Sequence, residues 1–172
     1  METQIDTINA RYSPKYFGLQ KGVSAYTLVA NHVPINAKII GTHEHESHYV
    51  FDLIHNNTSD IKPERHSTDT HGTNQVNFWI LHAFGYHFAP RYRDLHKKMG
   101  GLVGARHPNE YSDFLIKPVR KIYRELIEQE WPNIQRIMAS LAQKDVTQAT
   151  IVRKLASYVR QNQTKKTLQH FP

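Results

Sequence analysis

The chain has 172 residues, enough for one domain or one domain with a helical appendage; 39% are hydrophobic, and the formal charge of +7 suggests a polyanionic partner. The absence of cysteine excludes disulfide frameworks, thiolate zinc sites and cysteine nucleophiles, and it permits a reducing compartment. No apolar run approaches the roughly 20 residues of a membrane helix, and Met1 to Asp6 lack a charged-then-apolar signal, so the sequence reads as soluble and cytoplasmic.

Before residue 95, β-branched and aromatic residues fall in short runs split by Gly, Pro and Asn. Residues 23–31 and 35–42 read as two strands of a hairpin turning at Pro34. Ser47 is positioned to cap a helix reaching Asn57, with Val50, Leu53 and Ile54 on its apolar face. Pro63 opens an extended stretch from Arg65 to Thr70. Gly72 and Thr73 introduce a helix whose stripe is Val76, Ile80, Ala83 and Phe84, stopped by Gly85 in a left-handed conformation. His87 to Ala89 return as a strand. The order strand, strand, helix, strand, helix, strand predicts an α/β sheet with helices packed on it.

After residue 95 the apolar spacing turns helical. Pro118 starts one pattern (Val119, Ile122, Leu126, Ile127) and Pro132 a second (Ile134, Ile137, Met138, Leu141). Asp145 and Gln148 resemble a capping box ahead of a third (Val152, Leu155, Ala156, Val159). The expected organisation is therefore residues 1–95 as an α/β unit and 96–172 as an all-helical segment of about three helices.

Three stretches could carry chemistry. In Ser67-Thr68-Asp69-Thr70-His71-Gly72, Asp69 stands at the carboxyl end of a strand before a turn and a helix, where open α/β sheets hold ligands. Its oxygens suit magnesium, although an aspartate there also caps a helix or tightens a turn. His43-Glu44-His45-Glu46-Ser47-His48 resembles a metal cluster, but lacks the spacing of the zinc helix signature; on a strand, His43 and His45 would share a face. The competing reading is a polar strand end running into a helix. In Pro90-Arg91-Tyr92-Arg93-Asp94, Arg91 and Arg93 flank a tyrosine and could clamp phosphates, unless Arg93 pairs with Asp94 on a solvated edge. Basic residues continue through Lys97, Lys98 and Arg106, and along the helices at Arg120, Lys121, Arg124, Arg153, Lys154, Arg160, Lys165 and Lys166, where a solvated face is the bland reading. Trp79 and Trp131 read as core anchors. There is no Gly-rich phosphate loop, nucleophile elbow or dinucleotide fingerprint.

Four ordered stretches, Arg11 to Gly18, Gly22 to Thr27, His66 to Val76 and Phe88 to Asp94, resemble the transposases of the Tn-three family of replicative transposons. The likeness runs from near residue 4 to about residue 168. It implies an incomplete ribonuclease-H-like core, a mixed sheet with flanking helices, over 1–95, followed by the helical insertion of 96–172. It also implies an Asp, Asp, Glu set holding two divalent ions, Mg2+ or Mn2+, for DNA strand cleavage and strand transfer. Asp69 matches the second Asp and is the implied catalytic and metal-binding residue. The implied partners are double-stranded DNA, both transposon ends and target, with self-association in the complete transposase, in the bacterial cytoplasm. Arg91 and Arg93 are the candidate DNA contacts. The resemblance puts the first Asp on a strand upstream of Met1 and the final Glu beyond Pro172, so the chain reads as a truncated piece, ended by a stop or frameshift near His170 to Pro172. One carboxylate does not hold two ions, and a missing first strand leaves residues 23–31 with an open edge. The alternatives are a catalytically dead DNA-binding remnant and, more remotely, a histidine metal protein.

Overall fold

The computed structural model describes residues 7–157 and 162–168. Val159, Arg160 and His170 to Pro172, to which the sequence reading assigned roles, lie outside the described residues.

The first layer is antiparallel. Strand β1 (Arg11–Tyr12) leads through the one-turn helix α1 (Pro14–Phe17) to β2 (Lys21–Ala30) and β3 (Val33–Gly41), in the order β1-β2-β3. The hairpin turns at Asn31 and His32, both left-handed at φ 48° and 68°, and not at Pro34. Pro34 sits in β3 opposite Val29, beside a register shift that leaves Ile35 as an extra residue. A bulge is where a strand tolerates a residue without an N–H, so two successive positive-φ residues make the turn instead.

A 3-10 turn (Glu46–His48) precedes α2 (Val50–His55). Ser47 does not cap α2: it is buried, with its hydroxyl 2.7 Å from His45 Nδ1, and the His45 side chain caps the 3-10 turn. Strand β4 is shorter than expected (Arg65–His66) and runs parallel to β5 (His87–Phe88). Helix α3 (Gln75–Ala83) lies between them, capped by Asn74, whose Oδ1 accepts the Asn77 N–H. It ends at Gly85, φ 81°, where Tyr86 N–H donates to Leu81 O and Gly85 N–H to His82 O, the two bonds of a Schellman stop.

The stretch after residue 95 is not all helical. Helix α4 (Leu95–Met99) is followed by β6 (Val103–Gly104), which pairs in parallel with β7 (Arg120–Lys121). Pro118 therefore leads into a strand: Val119 N–H donates to Leu102 O and Ile122 N–H to Gly104 O, and this pairing overrides the helical spacing. The two helices expected from Pro118 and Pro132 are one, α5 (Arg124–Ala142), with Pro132 inside it. The proline removes the donor for the Glu128 carbonyl, and Glu128 is exposed to water that can replace it. Trp131 beside it is 42% exposed, so only Trp79, at 2%, is a core anchor. Helices α6 (Gln148–Ser157) and α7 (Gln163–Leu168) complete the described chain. Asp145 and Gln148 form no capping box. Thr147 Oγ1 accepts the Thr150 N–H, and the Gln148 side chain turns into the core.

The architecture is mixed α/β, with three small sheets and several helices. Its main apolar cluster joins Leu28 of β2, Val50, Phe51, Leu53 and Ile54 of α2, and Trp79, Ile80 and Leu81 of α3 to Ile134, Leu141, Leu155 and Leu168 of the last three helices. Glu130 fastens α5 to α7 by accepting the Thr164 hydroxyl at 2.5 Å. Because residues on both sides of position 95 share this cluster, Leu141→Ala should cost about 2–5 kcal/mol. Urea unfolding followed by the circular dichroism of the whole chain should show one transition shifted as a unit; loss of the helices before the sheets would contradict the shared core.

Candidate active site

Asp69 stands just past β4, where the chain still runs alongside the segment after β5. His87 N–H donates to Glu64 O, Ala89 N–H to His66 O and Arg91 N–H to Thr68 O, at 2.7 to 2.9 Å. The turn that follows is built on the Asp69 carboxylate. Its Oδ1 accepts the amides of His71 at 3.0 Å and Gly72 at 3.2 Å, and its carbonyl accepts the Thr73 hydroxyl at 3.0 Å. The residue is therefore the turn-tightening aspartate that local sequence allows. Oδ2 has the His71 Nδ1 at 3.4 Å, and the side chain is 71% exposed, so one carboxylate oxygen remains turned to solvent. Desolvation is the largest single influence and pushes its pKa up, but the Gly72 amide and the His71 ring and amide together outweigh it and hold the carboxyl below its usual range. Gly72 is obligatory here: a Cβ would lie 2.5 Å from Thr68 Cβ.

The structure brings Arg91 and Arg93 to this turn. The Thr70 hydroxyl donates to Arg91 O at 3.4 Å and accepts the Arg93 N–H at 3.0 Å, so one hydroxyl stitches the arginine segment to the residue after Asp69. Both arginines are exposed. Arg93 does not pair with Asp94, which instead caps α4 and bridges to Lys97 Nζ at 2.9 Å. Lys98 Nζ lies 5.8 Å over the Tyr92 ring, adding positive charge to the same edge.

Asp69 opens onto two clefts. One, of about 780 Å³, runs between β2 (Tyr26 to Ala30) and the stretch Ile61 to Asp69, with Glu46 and Gly72 at its end. The other, of about 590 Å³, is lined by Tyr16, Phe17, Ser24, Thr42, Glu44, His45, Glu46 and His71. Tyr26 is pushed up to about 12, chiefly by burial and further by the negative charge of Glu46 and Asp69. In the larger cleft, His66 Nε2 and Thr68 Oγ1 are buried without a hydrogen-bond partner. His66 stacks on Phe88 and is driven down to about 4 by burial.

The histidine-rich stretch 43–48 forms a turn and a 3-10 helix, not a strand, so His43 and His45 share no strand face. His45 Nδ1 is engaged by Ser47, while Glu44 accepts the Tyr49 hydroxyl and lies 3.2 Å from Arg153 Nη1. Among the described residues no group of three or more His, Asp or Glu is placed to hold a metal ion.

Sequence reasoning missed the polar residues behind Asp69. Asn77 is fully buried in α3, and its Nδ2 donates to Gly72 O at 3.0 Å. Its Oδ1 accepts from Gln148 Nε2. The signal was present: Asn77, Ile80, Leu81 and Phe84 share one helical face, and a single Asn on an apolar stripe needs buried partners. For Gln148 no local signal existed, because its partners are 71 to 101 residues away.

A family profile described as the Tn3 transposase DDE domain matches residues 1–172. The transposase for transposon Tn2501 of Escherichia coli is 34% identical over 156 residues, 89% of this chain and 15% of the relative. That for Tn3926, also of Escherichia coli, is 35% identical over 158 residues, with 87% and 15% covered. The transposase for Tn1546 of Enterococcus faecium is 28% identical over 170 residues, with 98% and 17% covered. The chain thus spans about 15% of the length of the first two relatives. No solved structure matches it significantly.

The buried His66 yields a pH prediction. Its folded pKa of about 4 lies below the unfolded value of 6.5, so the unfolded chain binds more protons between these values. Stability should fall as pH drops through this window, by roughly 3 kcal/mol at full effect. His66→Phe keeps the stack on Phe88 and should remove that part of the slope. A stability difference between variant and parent that stays constant from pH 7 to pH 4 would refute the burial of His66.

Proposed function

The chain belongs to the Tn3 transposase DDE-domain family, and from that membership we propose that Asp69 is the middle carboxylate of the set serving DNA strand cleavage and strand transfer in transposition. The observation that carries the reading is the exposed Asp69 carboxylate just past a strand end, with Oδ1 held by two amides, Oδ2 beside the His71 ring, and the residue lining two clefts. Divalent ions in such a site, Mg2+ or Mn2+, activate a water and neutralise the charge that builds on a phosphodiester. Asp69 fits as one hard-oxygen ligand. The described residues do not complete a two-ion set around it, and its partners are assigned to the first Asp and final Glu of the complete transposase.

Arg91 and Arg93, exposed and stitched to the Asp69 turn through Thr70, contact DNA phosphates. They fix the register of the DNA backbone against the carboxylate without reading its sequence. Double-stranded DNA, as transposon ends and as target, is the partner. Self-association belongs to the complete transposase, and the bacterial cytoplasm is its compartment.

The finer fold reading is a partial ribonuclease-H-like core over 1–95 followed by an insertion over 96–172 that is mostly helical around the short β6–β7 pair. What supports it is the larger cleft. It has β2 on one side and the β4 stretch on the other, and among the described residues no strand pairs with the second edge of β2 from Ser24 to Ala30. A strand entering there would run beside both, join the three-stranded and two-stranded sheets, and reach His66 and Thr68. A strand carrying the first Asp would end near Asp69.

A second reading, a DNA-binding remnant without catalysis, rests on the formal charge of +7 and on Asp69 as the one residue matched to the acidic set. Salt-sensitive binding to any duplex by this chain, with no divalent-dependent nicking, supports it.

Placed in the complete transposase, Asp69→Asn should abolish divalent-dependent strand transfer while transposon-end binding persists, as read by gel assays of both steps. Retained strand transfer would remove Asp69 from the active site. Arg91→Ala and Arg93→Ala should each weaken binding to all duplex sequences alike. Each should also reduce the slope of log affinity against log salt by about 1; an unchanged slope would take the arginine off the DNA.

A further inference from the structure

We infer that Gln148 and Asn77 are positioning residues for Asp69, coupling α6 to the Asp69 turn through buried side-chain hydrogen bonds that end on the backbone of Gly72. This rests on the reading of Asp69 as a metal-ligating carboxylate and adds what holds it.

The chain of bonds begins in α6. Gln148 is fully buried; its backbone N–H donates to Asp52 Oδ1 at 2.8 Å, and its Oε1 accepts the Phe51 N–H at 2.8 Å. Those two contacts fix α6 against α2. The two protons of Nε2 go elsewhere, to Ser47 O at 3.1 Å and to Asn77 Oδ1. Asn77, also fully buried, passes the constraint on: its Nδ2 donates to Gly72 O at 3.0 Å. The Gly72 N–H in turn donates to Asp69 Oδ1. Asn74 adds a parallel tie, with Nδ2 donating to Ser47 O at 2.9 Å and Oδ1 accepting the Asn77 N–H. Each amide in this line has one correct orientation. With Gln148 donating to Asn77 Oδ1, Asn77 must present Nδ2 to the Gly72 carbonyl; this anchors residue 72, whose N–H, on the preceding peptide, donates to Asp69 Oδ1. Asp69 is exposed and at the tip of a turn, so without this line its carboxylate would sample several positions. Outer partners of this kind orient the ligand, and their loss lowers metal affinity about 10–100-fold.

The test uses the 172-residue chain and Mn2+ alone. Broadening of the Asp69 to Thr73 amide signals by Mn2+ reports ion binding at the carboxylate, and amide exchange at His71 and Gly72 reports the turn. Gln148→Met should raise exchange at both amides by about tenfold or more beyond any global change and weaken the Mn2+ effect about tenfold. Amides of α5 should stay protected. Gln148→Glu, protonated in its buried site at pH 5, regains a donor toward Asn77 and should recover much of the loss. Asn77→Leu cuts the next link and is read in the same way where the methionine variant does not fold. Folded variants with unchanged exchange at His71 and Gly72 and unchanged Mn2+ broadening would overturn the inference. Absence of Mn2+ broadening in the parent chain would instead fail the ligand reading, with the exchange measurements still deciding whether Gln148 holds the turn.

Discussion

The rest of the structure depends on one buried amide side chain. Gln148 meets α2, the 3-10 turn and α3 at one point, and all its polar atoms find partners there. A buried primary amide is costly when unpaired and directional when paired, so this contact fixes both the spacing and the rotation of the elements around it. Apolar packing among Phe51, Leu53, Ile80 and Leu155 supplies attraction without choosing an angle. Beside it, Asp52 is raised by desolvation and keeps one buried oxygen unpaired, which concentrates polar strain at this same junction.

Much of the first half was legible because its signals are local. The hairpin, helix α3 and the Gly85 stop depend on residues within a few positions of each other, and all three occur, although of the expected α3 stripe only Ile80 is fully buried. The errors share a cause. Pro34, Pro118 and Pro132 were each read as punctuation, yet each lies where longer-range structure tolerates it: beside a bulge, before a parallel pairing, or on an exposed helical turn. Proline removes one donor, and whether that matters depends on the partner the donor would have had. Gln148 was read through its neighbour Asp145, whereas its real partners lie far back in the chain.

The candidate site was legible to the same extent. Asp69 at a strand end, followed by glycine, is a local pattern, and the arginine segment after a second strand is another. Their meeting is not local. It follows from the parallel pairing of β4 with β5 across α3 and from the bridging Thr70 hydroxyl, which no spacing rule encodes. The histidine-rich run shows the opposite case. Its composition suggested metal, but the chain uses His45 to cap a turn and Glu44 to hold Tyr49 and Arg153.

The separation between Asn77 and Gln148 also orders events in time. With 71 residues between them, the site-side residue leaves the ribosome well before its partner does. At about 5–20 residues per second, that interval is roughly 4–14 s. During it, the hairpin and α3 can form, while the Asn77 amide has no counterpart for its Oδ1. The bonds of the Asp69 turn itself are local, so what waits for α6 is the partner of Asn77 Oδ1, and a nascent chain carries that buried amide unpaired until synthesis is well past it.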